Sequence, residues 1–196
     1  NDLVTGISKT RIRWSIAILL LLIFSKFFFT ASISNYYTFY LIDRFHIDAK
    51  SAQFYLFVYF ISMTFGTIVG GPMGDKYGRK KIIWFSIVGA APFTLALPYL
   101  DLFWTSIFIA LAGAILASAF SSILVYAQEL LPGKIGMISG LFYGFAFGMG
   151  ALGSAILGNI VDKTSISYVY ELCSYLPLIG LFTVFLPNLH KRKKAA

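Results

Sequence analysis

Cysteine and histidine are nearly missing from this chain: one of the former, Cys173, and two of the latter, His46 and His190, among 196 residues. A single cysteine excludes an intrachain disulfide and a cysteine-based metal knuckle. His46 has Asp43 and Asp48 near it in sequence, but no second histidine or cysteine to complete a usual ligand set. Neither a metal nor any other cofactor is therefore expected. Charge is scarce too. Charged residues make up 12% of the chain, against about 25% in ordinary soluble domains, and only 8 are acidic. No paired carboxylates fall at depth and no nucleophile sits beside a base, so the reading is not that of an enzyme.

Apolar residues fill the space that charge leaves. They make up 58% of the chain, and the mean hydropathy is +0.79. A soluble fold of this length has too little interior to hide so much apolar surface, so lipid is the expected solvent. The formal charge of +8 could point to nucleic acid, but the cations are not laid out as a stripe. Lys9, Arg11 and Arg13 precede the first apolar run; Lys76, Arg79, Lys80 and Lys81 fall between the second and third; Lys191 to Lys194 close the chain. Cations flanking spans are the positive-inside pattern, and nucleic acid is not an expected partner.

Six runs reach the length of about 20 residues that a bilayer demands: 14–41, 52–71, 82–100, 102–127, 137–161 and 168–189. The amino end, second connector and tail are basic, which predicts a cytoplasmic location for both termini. The basic amino end leads straight into a long span, without a signal-peptide layout, and the chain reads as part of something larger. Two spans close on a shared pattern: Gly66-x4-Gly71-x3-Asp75-Lys76 and Gly153-x4-Gly158-x3-Asp162-Lys163. These are spans two and five, the pair that a three-plus-three inverted repeat equates.

The connector Gly71-Pro72-Met73-Gly74-Asp75-Lys76-Tyr77-Gly78-Arg79-Lys80-Lys81 packs glycines, a carboxylate and cations between two spans. It resembles the signature loop of the major facilitator superfamily of transporters. The resemblance implies an all-α membrane protein of six transmembrane helices in a 3+3 inverted repeat, one half of a major facilitator fold. The family has twelve helices in two halves with substrate between them at the midplane. Residues 1–196 would be the carboxyl-terminal half, and an amino-terminal six-helix half becomes an expected partner. Gly71, Asp75, Lys76, Gly78, Arg79 and Lys80 would form a gating latch: Asp75 can pair with Arg79 four residues on, and the two glycines allow turns and close approaches that a side chain forbids. A solvated loop that only sets topology is the plainer alternative.

Stretches 23–40, 124–133 and 140–150 resemble drug-exporting members of the superfamily more closely. They imply proton-driven export of a small anionic phosphonate across a bacterial inner membrane. Lys26 is the residue that best suits such an anion. It lies about 18 Å along the first span from Trp14, too deep for easy snorkelling. A cation there costs about 2.5–3.5 kcal/mol or more in lipid, so it should face a cavity or a partner. Thr30, Ser34 and Tyr37 continue its face as a polar stripe. A substrate role, a proton role, or a plain pairing with a carboxylate in the missing half all fit Lys26. Tyr126, Gln128 and Glu129 close the fourth span, where Glu129 is either interfacial or a protonatable gate. Gly136, Gly140, Gly144 and Gly148 recur every four residues and predict a helix-packing groove, static or sliding.

Overall fold

The computed structural model describes residues 8–186, and its elements are helical. Five helices are long and apolar enough to cross a membrane: α1 (Lys9–Phe45), α2 (Ala49–Tyr77), α3 (Arg79–Ala96, prolonged by a 3-10 turn over Leu97–Tyr99), α4 (Leu102–Leu130) and α5 (Ile135–Lys163). Four amino ends carry a side-chain cap. Ser8, Asp48, Asp101 and Ser165 each accept a hydrogen bond from the amide three residues ahead, satisfying a donor that the helix itself leaves free. The side chain and amide of Ser51 hold the Asp48 carboxyl below its usual range. The connections are tight. His46 ends α1 in the left-handed region at φ 53°, and Gly133, at φ 89°, turns the chain between α4 and α5.

Two expectations need correction. The ten-residue connector is not a loop: α2 runs on through Tyr77 and α3 starts at Arg79, leaving Gly78 as the break. Its φ of 96° is open to glycine and strained for any other residue, which is why one residue suffices. The sixth span is also not one α-helix. Helix α6 (Ile166–Ser174) gives way at Tyr175 to a 3-10 stretch, Leu176–Phe185. Pro177 has no amide to continue the α ladder and disfavours α geometry at Leu176. The backbone answers with a three-residue bond, the Leu178 amide donating to the Tyr175 carbonyl at 3.0 Å. The Leu176 carbonyl accepts from Ser25 Oγ of α1, at 2.5 Å. A neighbouring helix thus satisfies a polar group that lipid would not. The rest of the predicted sixth span, with His190 and Lys191 to Lys194, lies outside the described residues.

Helix α4 packs along α2 and α3, and α1 packs along α5 and the sixth segment. Exchanging the first three helices for the last three leaves this pattern unchanged, as an inverted repeat requires. The α2–α4 seam is the closest. A Cβ on Gly66 or Gly70 would collide with the backbone carbonyl of Ala114 or Ser118, and one on Gly74 with the Ser122 hydroxyl. Glycines every four residues on α2 meet small residues every four on α4, so two backbones touch. On α5 a Cβ at the repeat partner Gly153 would crowd the Phe28 and Ala31 side chains of α1 at 3.3–3.4 Å, without reaching backbone.

Helix α1 is the hub. Its Leu19, Leu22 and Ile23 join Ile83, Ile123 and Phe142 in one buried cluster; Phe29, Ile33, Tyr37 and Leu41 join Ala52, Tyr59 and Tyr170 in another. Outside, Phe54, Phe65, Ile68, Trp84, Phe147 and other large apolar side chains stay exposed. Soluble monomers rarely expose contiguous apolar surface on that scale. With the helix lengths, this makes the protein multi-pass in a membrane.

Candidate functional site

The first constellation forms where α2, α3 and α4 end together. Asp75, in the last turn of α2, lies 2.8 Å from Arg79 Nη2 across the Gly78 break, and Arg79 Nη1 donates to Glu129 Oε1 at 2.6 Å. Glu129 thus joins Asp75 and Arg79 in one ion cluster. Arg79 and Glu129 are mostly covered and Asp75 is exposed, so the Arg79–Glu129 arm is the less screened of the two. Lys80 donates to the backbone carbonyls of Val184 and Leu186, tying the same corner to the end of the sixth segment. Lys76 stands over the Tyr77 ring at 5.4 Å. A cation–π contact of this kind adds little at an exposed site. Gly71 departs from its predicted role: a Cβ there would meet only the Ser121 hydroxyl, in ordinary contact. The glycine that close approach demands is Gly70, one position earlier.

Gln128 Nε2 donates to Ser139 Oγ at 2.9 Å, fastening α4 to α5 just before the turn at Gly133. Tyr126 is buried one turn away, in the same cluster as Leu19 and Phe142. The three residues that close the fourth span therefore do three different things. One fills the core, one bridges helices and one joins the ion cluster.

Lys26 sits at the centre of α1, in the seam between the two large apolar clusters, and is 7% exposed. Its Nζ donates to Ser86 Oγ of α3 at 2.8 Å and to the Leu116 carbonyl of α4 at 3.1 Å. Both acceptors are neutral. The carboxylates of the described residues lie elsewhere: Asp43, Asp48, Asp75, Asp101, Glu129 and Asp162 at helix ends, Glu171 exposed on α6. The polar stripe beyond Lys26 also turns inward. Thr30 lies beside the Tyr59 hydroxyl of α2, and Tyr37 is fully buried, its ring stacked 6.2 Å from that of Tyr170. Tyr40 stacks on Tyr170 more closely, at 3.9 Å. Ser34 is half-buried on the same helix face. Of the stripe expected to line a cavity, Lys26 and Tyr37 are thus buried in this conformation, while Thr30 and Ser34 stay half-buried.

The packing role expected of Gly136, Gly140, Gly144 and Gly148 is not met among the described residues. A Cβ at any of the four meets nothing within 4 Å, and three are exposed. The glycines that bring two backbones together are on α2. Ser118 and Ser122, four apart on α4, were the signal for that seam. Ser86, a hydroxyl in mid-span, was the corresponding signal for a partner to Lys26.

A bundle of six hydrophobic segments related by an inverted repeat, with an acid–base cluster at one end, defines half of a secondary transporter. The chain belongs to the Major Facilitator Superfamily, whose model matches residues 15–196. It is 57% identical over 190 residues to the fosmidomycin resistance protein of Escherichia coli (strain K12), covering 96% of this chain and 47% of that protein. It is 39% identical over 163 residues to the uncharacterized MFS-type transporter YfnC of Bacillus subtilis (strain 168), covering 83% of this chain and 40% of the relative. A tetracycline resistance protein, class H, of Pasteurella multocida is 29% identical over 133 residues, covering 63% and 31% respectively. The chain spans about half the length of the curated relatives it matches most fully.

Proposed function

We propose that this chain is the carboxyl-terminal half of a proton-coupled exporter of small anionic phosphonates of the fosmidomycin kind. It would sit in a bacterial inner membrane with both termini in the cytoplasm. One observation carries the reading: 57% identity across 96% of the chain to a protein named for fosmidomycin resistance. The absent amino-terminal half supplies the other wall of the substrate cavity. Two hollows among the described residues are a shallow groove of about 160 Å³, walled by Phe65, Val69, Met73 and Phe85, and a surface dip lined by Lys50, Ser51, Phe54 and Tyr55. The groove is apolar and offers an anion no polar seat.

In this reading the Asp75–Arg79–Glu129 cluster is the cytoplasmic gate. Its ion pairs hold α2, α3 and α4 together in one state and part when the halves rock. Lys26, Thr30, Ser34 and Tyr37 belong to the transport pathway, which the rocking motion opens to the midplane. The similarity to a tetracycline resistance protein favours one alternative, a different drug as cargo.

Fosmidomycin accumulation in cells making the full-length protein, with and without a protonophore, tests the proposal. Low accumulation that rises on collapse of the proton gradient is the expected result. Accumulation equal to that of cells lacking the protein would reject the phosphonate.

A further inference from the structure

Within the described residues, Lys26 is the one Asp, Glu, Lys or Arg placed away from the helix ends and inside the bundle. Its surroundings count donors as well as charge. An ammonium carries three N–H groups and a full charge, whereas a neutral amine carries two N–H groups and a lone pair. Here Nζ has two partners, Ser86 Oγ and the Leu116 carbonyl, and both are uncharged. Ser86 is itself satisfied as a donor, giving its proton to the Ile83 carbonyl at 2.8 Å. That leaves its oxygen lone pairs to receive Nζ. The site therefore matches the amine donor for donor, while an ammonium would keep a spare donor and an uncompensated charge in a dry interior.

Each helix packed around this point presents few titratable groups. On α3 the charged side chains are Arg79, Lys80 and Lys81, at its first turn, beyond the apolar layer of Ile83 and Ile87. On α4 they are Tyr126 and Glu129, in the last turns, with Glu129 held by Arg79. On α2 the facing group is the Tyr59 phenol, beside Thr30; on α6 they are Tyr170 and Cys173, packed in separate clusters. The 3-10 stretch, which lies against Ile87 of α3, has no titratable residue. Helix α5 adds Tyr143, which is exposed, and Asp162 and Lys163 at its far end.

We propose that Lys26 is the group that carries the coupling proton, rather than a fixed positive charge that holds the substrate. In the conformation described here it is the neutral amine, locked between α3 and α4. When the bundle rearranges and Nζ leaves Ser86, the amine lone pair takes a proton from cavity water. Return to the Ser86–Leu116 seat is possible only after that proton has been given up to water on the other side. One proton crosses per cycle, and no bond other than N–H forms or breaks. This inference deepens the exporter reading and rests on it for the cargo, but the proton chemistry can be tested without any cargo.

Full-length protein in proteoliposomes separates the two. With fosmidomycin, Lys26→Met is expected to lose transport driven by a pH gradient at least about ten-fold, while exchange of labelled for unlabelled drug at equal pH stays within about two-fold. Gradient-driven transport surviving in Lys26→Met would overturn the proposal by placing the proton elsewhere. Loss of exchange as well, in a variant that stays monodisperse, would overturn it in favour of a substrate contact. If the wild-type protein moves no fosmidomycin, the cargo assignment fails and the proton site is decided by a second measurement. The Nζ resonance of ¹⁵N-lysine-labelled full-length protein, assigned by its loss in Lys26→Met, should pass between amine and ammonium positions from about pH 5 to about pH 9, the span over which buried lysines titrate. An Nζ that remains ammonium throughout that range would overturn the proposal.

Discussion

At the scale of single residues, the deciding quantity is what a polar group finds when water is excluded. Ser25 illustrates the point: its hydroxyl donates to the Leu176 carbonyl, where α6 gives way to 3-10 geometry. Ser25→Ala should cost about 0.5–1.5 kcal/mol, the net contribution of one hydrogen bond, read as a lower midpoint of thermal unfolding in detergent. Gly78→Ala forces a Cβ onto a backbone at φ 96° and should cost about 1–2 kcal/mol by the same measurement. Asp48 predicts a pH effect of known sign. Its carboxyl is held below the usual range by Ser51, so its share of α2 stability is complete above the unfolded value of about 3.9 and is lost as the pH falls through the lower folded value. Amide exchange at Ser51 should lose protection across that acid window in the wild type, and Asp48→Asn should remove the dependence.

At the scale of elements, small residues decide which helices touch. The α2 glycines lie against carbonyls of α4, whereas the α5 glycines face open space in this chain. Both stripes have the same four-residue spacing in sequence, and nothing in the spacing distinguishes a seam inside the half from a surface outside it. Gly70→Ala should push α2 off α4 and destabilise the full-length protein by about 1–3 kcal/mol or more, because backbone at Ser118 cannot swing aside as a side chain would. An unchanged midpoint would mean that the two helices have slack the geometry does not show.

At the scale of the whole molecule, the ion cluster joins three helices at one end while the hub helix α1 runs through both apolar clusters. If the cluster is a gate, its effect should fall on turnover rather than on folding. Arg79→Ala should reduce export of the full-length protein about five-fold or more. The double variant Arg79→Ala/Glu129→Ala should fall no further than the worse single, since both remove one interaction. Additive losses in an export assay would show that the two residues act separately.

Composition determined the solvent, lipid, with 12% charge and 58% apolar residues, and apolar runs of about 20 residues determined helices, which satisfy their own backbone where a bilayer leaves no water. Local spacing determined part of the ion cluster. Asp75 and Arg79, four apart, do pair, and their motif resembled the family to which the chain belongs. Partners distant in sequence were decided by the tertiary structure. Glu129 meets Arg79 from 50 residues away, Lys26 meets Ser86 from 60 and the Leu116 carbonyl from 90. Hydropathy says that a residue lies deep in a span, but helix rotation and crossing determine which neighbour it faces. Those follow from side-chain packing across several helices at once. A lysine at the midplane was therefore visible from sequence, while its neutral seat was not.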